Sequence, residues 1–150
     1  AGFGRYGQIV ARILRARKIP FTALDIDAEQ VELVKRFGSE AFFGDASRPD
    51  ILQAAKVGDA RALVLAIDDV EASLRIAEFV SAEWPKVLIF GRARNRNHAH
   101  RYLDLGITRV QRETFLSALE TTKQLLKGLG DTDREAERTV KTFRTHDERR

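Results

Sequence analysis

Short apolar runs alternate with longer amphipathic stretches through the first two thirds of the chain, the rhythm of a parallel sheet whose strands are each followed by a covering helix. The runs are FTALD (21–25), EAFFG (40–44), ALVLAI (62–67), KVLIFG (86–91) and ITRVQ (107–111). Their nearly unbroken apolarity predicts strands buried on both faces. Between them, the stretch 5–17 places Ile9 with Ile13 and Val10 with Leu14 on a helical stripe, and 28–37 repeats the arrangement with Val31, Val34, Leu33 and Phe37. Ser47 ahead of Pro49 predicts a helix start, with the helix closing near Gly58. Asp68 or Asp69 can cap the next helix, which runs to about Glu83 and ends at Trp84-Pro85. Another spans 95–105 and is closed by Gly106. After Gln111 the pattern is helical only, over 114–129 and 134–144, with GLGDTD between. That tail has little sheet to cover and is expected to pack on a partner subunit.

The opening AGFGRYGQIV carries Gly2, Gly4 and Gly7 at the spacing of a dinucleotide-binding turn. In such a turn Gly2 permits the sharp passage from strand to helix. Gly4 lets a pyrophosphate approach the backbone, Gly7 lets the helix pack close to the sheet, and the helix N-terminus offers free N–H groups. Arg5 and Tyr6 complete the cofactor-binding turn. Only Ala1 precedes it, so the chain reads as a fragment whose first strand is truncated, and that strand brings the expected set to six. The fold class is α/β, a Rossmann-like doubly wound six-stranded parallel sheet over 1–111, with a C-terminal helical crossover segment over 112–150.

An acid reinforces the glycines. Asp25 closes the FTALD strand at about the 20-residue spacing at which a carboxylate meets the adenosine ribose hydroxyls and repels a 2′-phosphate. NAD(H), AMP or another adenine nucleotide is expected over NADP. Asp27 serves either the ribose or the cap of the following helix. Two more strand ends are polar: Gly44-Asp45-Ala46-Ser47 and Ala66-Ile67-Asp68-Asp69. Asp45 is expected beside the adenine, and Ile67 and Asp68 near the second half of a dinucleotide. Taken singly, Ser47, Asp68 and Asp69 read equally well as helix caps. In GRARNRNHAHRY (91–102), Arg92 and Arg94 lie nearest the ligand edge, whereas Arg96 and Arg101 suit a solvated helix face.

Composition narrows the chemistry. The 150 residues, 43% of them apolar, suffice for one core. The absence of Cys removes disulfides and thiolate chemistry, and His98, His100 and His146 form no metal-binding pattern. A net charge of +4 without interleaved aromatics argues against nucleic acid. A dehydrogenase needs a substrate domain and a proton donor beside the nicotinamide. No such constellation is visible, so binding without turnover is expected, with an NAD-dependent oxidoreductase fragment as the alternative.

The segments GFGRYGQ, LDIDAEQVE, FGSEAFFGDASRPDIL, AIDD, RARNRNHAHRYLDLGI and RETFLSALE, in this order, resemble an RCK domain, also called KTN or TrkA-N. The resemblance is strongest to the cytoplasmic regulatory domains of Kef-type glutathione-gated potassium efflux systems. It implies a nucleotide-dependent, non-enzymatic domain at the cytoplasmic face of the bacterial inner membrane. It further implies gating of a K+/H+ antiport domain of the same parent chain, and a homodimer in which the helix after the sixth strand crosses to the partner. Glutathione or its adducts would be the regulatory ligand, and the family's peptide site maps onto Arg12, Arg112 and Asp147. The first two are basic, as a carboxylate-bearing tripeptide requires. The third stands where the family has asparagine, and an acid there either weakens carboxylate binding or engages the ligand's ammonium.

Overall fold

A computed structural model describes residues 1–2 and 4–149, so Phe3 of the glycine turn and Arg150 lie outside the described residues. The chain divides into two compact units, Ala1–Gln111 and Arg112–Arg150.

In the first unit, α1 (Arg5–Ala16) leads to β1 (Thr22–Asp25), α2 (Ala28–Arg36) and β2 (Glu40–Phe43). Then come α3 (Pro49–Ala54), a 3-10 turn (Val57–Asp59), β3 (Ala62–Leu65), α4 (Val70–Glu83), β4 (Leu88–Ala93), α5 (Arg96–Asp104) and β5 (Val110–Arg112), whose last residue opens the second unit. β1 pairs in parallel with β2, and β3 in parallel with β4, which neighbours β5. Five strands are therefore found among the described residues rather than the six expected. Where the sixth was placed, Ala1 and Gly2 bridge the two sheets by their backbone. Gly2 N–H donates to the Leu24 carbonyl at 2.8 Å, while Ala66 N–H donates to the Ala1 carbonyl at 2.8 Å. Two residues are too few to register as a strand, yet they set the order β2-β1-(Ala1–Gly2)-β3-β4-β5. The chain leaves this central position toward β1 and later returns to β3 on its other side, which makes it a topological switch point.

The main core joins Leu24, Leu52, Leu65, Ile76, Ala77, Val80, Ile89 and Tyr102, all buried. α1 departs from its expected stripe. Gly7 and Ala11 are buried, whereas Ile9 and Ile13 stand 59% and 62% exposed. Small residues let α1 approach the sheet closely, and the isoleucines two positions away point to the opposite side. In α2, Val31 and Val34 are buried but Phe37 is exposed beneath the Arg15 guanidinium. The expectation of strands buried on both faces also fails in part: β2 is an edge strand with Phe43 exposed, and β4 turns Leu88 and Phe90 outward.

In the second unit, α6 (Phe115–Gly128) and α7 (Asp133–Glu148) form a helical pair. α7 starts at a capping box: Glu135 N–H donates to Thr132 Oγ1, and the Glu135 side chain accepts from Thr132 N–H. Phe115 stacks on Phe143 with centroids 6.4 Å apart. Leu116, Leu125, Leu129 and Phe143 remain exposed.

Candidate nucleotide site

The glycine turn is shaped by close approach. Gly2 has φ +88°, and a Cβ there would lie 2.7 Å from the Ala66 carbonyl carbon and oxygen. A Cβ on Gly7 would overlap the Gly2 carbonyl oxygen, whereas one on Gly4 would meet nothing within 4 Å. Gly4 is the N-cap of α1; no side chain caps that helix and no acid lies in its first turn. The other long helices of the unit are capped by side chains: Asp27 accepts from Glu29 N–H, Asp69 from Ala72 N–H and Asn95 from His98 N–H. The space that a Gly4 side chain would enter, at the switch point, is therefore open, and the positive end of the α1 dipole lies at this turn.

The strand-end residues fall into two groups. On the β1 side, the half-buried Asp25 accepts from Asp27 N–H at 2.8 Å, and its carbonyl accepts from Gly44 N–H at 2.9 Å. Asp27 caps α2 through the hydrogen bond it accepts from Glu29 N–H. Asp45 accepts from the Ser47 backbone N–H at 2.9 Å and from Ser47 Oγ at 2.7 Å, and these bonds hold its carboxyl below the usual range. Ser47 therefore supports the loop instead of capping α3, whose N-cap is Arg48. The Ala46 methyl lies in the core, so its backbone is what a ligand can meet.

On the β3 side, Asp68 Oδ1 accepts from Arg92 Nη2 at 2.6 Å, and Arg94 Nη1 donates to the Asp68 carbonyl at 3.3 Å. The Arg92 guanidinium sits 5.6 Å from the Tyr6 ring centroid. The Arg92 hydrogen bond holds the Asp68 carboxyl below the carboxylate range, aided by the charges of Arg92, Arg94 and Arg5. Arg5, Tyr6, Asp68 and Arg92 therefore converge, as strand ends around a switch point should. Ile67 packs against the core next to them. Arg101 is engaged away from this cluster, in a two-bond ion pair with Glu71.

A buried framework behind this edge is not visible as a site in the sequence. His98 Nδ1 accepts from Arg94 N–H at 3.0 Å, and Ser73 Oγ donates to the Val70 carbonyl at 2.7 Å. The 2.8 Å contact between Ser73 Oγ and His98 Nε2 is then donated by the imidazole, which fixes a neutral ring protonated at Nε2. Tyr102 stacks on that ring at 4.7 Å. The network pins the turn that carries Arg92 and Arg94. The only local signal is the Asn95-x-x-His98 spacing of a capped helix start.

Burial, followed by the charges of Arg101, Arg92 and Arg94, lowers the His98 pKa. The unfolded chain then takes up a proton near the ordinary imidazole value while the folded one does not. Stability is complete above about pH 6.5 and falls as pH drops toward the lowered folded value. Urea denaturation at pH 7.5 and 5.5 should show this loss for the native chain. A smaller loss is expected for His98→Asn; an equal pH slope in the two chains would contradict the assignment.

A glycine turn opening a helix at the switch point of an open parallel sheet, with acids at the neighbouring strand ends, defines an α/β domain of the Rossmann type. The TrkA-N domain family model matches residues 1–113, and the chain belongs to that family. It is 38% identical over 148 residues to the glutathione-regulated potassium-efflux system protein KefC of Cronobacter sakazakii, covering 99% of this chain and 24% of that protein. It is 39% identical over 144 residues to the KefC protein of Salmonella arizonae, covering 96% of this chain and 23% of that protein. The chain thus spans about a quarter of the length of these relatives. Among solved structures, the Kef CTD of Shewanella denitrificans in AMP-bound form matches with TM-score 0.87 and 40% identity, over 97% of this chain and 89% of that one. The TrkA-N domain of the Escherichia coli inner membrane protein ybaL shares the fold, with TM-score 0.75 and 23% identity over 87% of this chain and 93% of that one. No helix among the described residues is long and apolar enough to cross a membrane.

Proposed function

We propose that the first unit binds an adenine nucleotide at the switch point, and that this binding regulates potassium efflux by a larger membrane protein. The observation that carries the reading is the start of α1, uncapped and open at Gly4, with Asp25 at the end of the neighbouring strand. In this reading the N–H groups of α1 take a phosphate, Asp25 takes the ribose hydroxyls and Asp45 lies toward the adenine. Gly2, Gly4, Arg5, Tyr6, Gly7, Gly44, Ala46, Ile67, Asp68 and Arg92 form the rest of the site, and AMP or NAD(H) is the ligand. The AMP-bound state of the 40% identical Kef CTD supports the nucleotide class. The naming of the relatives for glutathione-regulated potassium efflux supports the regulatory role over the oxidoreductase alternative.

The reading extends to glutathione or its adducts as a second ligand, with Arg12, Arg112 and Asp147 as its residues. Arg12 is exposed on α1; Arg112 and Asp147 belong to the second unit. A homodimer would cover the exposed Leu116, Leu125, Leu129 and Phe143. The parent protein would present the domain at the cytoplasmic face of an inner membrane.

Calorimetric titration with AMP and with NADH tests the nucleotide. Saturable binding of at least one is expected, and Asp25→Ala should weaken it by about tenfold, in line with one charged hydrogen-bonding group. No binding of either at millimolar concentration would sink the reading.

A further inference from the structure

The second unit contains an ion pair that the nucleotide site does not use. Arg112 Nη2 donates to Asp147 Oδ2, and both side chains are only 18% exposed. The Arg112 guanidinium lies 3.5 Å from the centroid of the Phe115 ring, which itself stacks on Phe143. An aromatic wall on one face leaves the in-plane N–H donors as the edge by which this guanidinium takes an anion. Asp147 holds that edge from the last turn of α7, where the negative end of the helix dipole disfavours a carboxylate. Its neighbour Glu148 is 55% exposed and pairs with Arg144 within the helix, whereas Asp147 is turned inward onto Arg112.

We propose that Asp147 is a tethered competitor, a resident carboxylate that occupies the anion seat of Arg112 and that a carboxylate ligand must displace. The inference rests on the reading that Arg112 serves a carboxylate-bearing ligand. Tethering gives Asp147 a high effective concentration at the guanidinium. A pair closed about 90% of the time weakens any competing carboxylate roughly tenfold. Asp147 thereby sets the threshold concentration at which the second ligand acts. Its release frees the final turn of α7, whose dipole no longer has a compensated acid.

The test is titration of the full chain and of Asp147→Asn and Asp147→Glu, read by NMR at Arg112 Nε–Hε and at the backbone amides of residues 145–149. The probes are glutathione and N-acetylglycine, a plain carboxylate. Asp147→Asn should respond at about three- to tenfold lower concentration of both probes, and Asp147→Glu, which keeps the competing charge, within about twofold of the native chain. In the native chain the probe should also perturb the amides of 145–149. If glutathione shifts nothing while N-acetylglycine separates the Asn variant from the native chain, the glutathione reading fails and the competitor stands. If N-acetylglycine acts at the same concentration on both, or Asp147→Glu behaves like Asp147→Asn, the competitor is overturned.

Discussion

Gly7→Ala should destabilise the chain by about 2–3 kcal/mol and abolish nucleotide binding, whereas Gly4→Ala should leave the fold within about 1 kcal/mol and still lose binding. The two glycines sit three residues apart in one turn, yet their surroundings are opposite. A methyl on Gly7 meets the Gly2 carbonyl oxygen, and Gly2 cannot retreat. Its N–H is bonded to Leu24, and the Ala66 carbonyl stands 2.7 Å from where its own Cβ would be. Either α1 lifts from the sheet, exposing Ala11, or the turn loses its bonds to β1. A methyl on Gly4 projects into space that is open here and is the phosphate's place in the proposed function. It blocks the ligand without disturbing the fold, and an AMP affinity at least tenfold weaker is expected at a nearly unchanged urea midpoint. Equal destabilisation by both changes would deny Gly4 a ligand role, and normal AMP binding by Gly4→Ala would refute the phosphate position.

That contrast also marks what the sequence could convey. The glycine spacing, the acid at the end of β1 and the caps at Asp69 and Asn95 are local signals. A turn or a helix start depends on a few adjacent residues, and α4 and α5 begin where those residues require. Which face of α1 meets the sheet is not local: Gly7 and Ala11 win over Ile9 and Ile13 because close approach outweighs side-chain area. The same holds for β2, whose apolar EAFF reads as a central strand until the sheet order puts it at an edge. Among the site residues, Asp27 reads equally as ligand or cap, and its Oδ1 accepts the cap hydrogen bond from Glu29 N–H. The Ser73–His98 contact joins residues 25 positions apart, and no periodicity within either helix announces it.

The pair formed by Asp68 and Arg92 is buried unequally, and its two truncations should therefore differ. The Arg92 side chain is 4% exposed and that of Asp68 is 79% exposed. Removing Asp68 takes a charged partner from a guanidinium that water does not reach, and loss of such a partner costs about 3–5 kcal/mol when both groups are buried. Here Arg92 keeps the face of Tyr6 and Asp68 begins largely solvated, so about 2 kcal/mol is expected for Asp68→Ala. Arg92→Leu instead leaves a carboxylate already in water and fills the cavity with an apolar side chain, at a cost below about 1 kcal/mol. Acid should reproduce the first change. Arg92 holds the Asp68 carboxyl below its usual value, so the pair's contribution is complete above the unfolded carboxylate pKa, near 4, and disappears as pH falls through the lowered folded value. Urea unfolding of both variants at pH 7 and pH 3 measures the difference. Asp68→Ala should be the less stable chain at pH 7, and its gap from the native chain should narrow at pH 3. A larger loss for Arg92→Leu would mean that the guanidinium stabilises the strand end through packing and its other contacts. Asp68 would then be an exposed acid available to a ligand and not the fixed partner of Arg92.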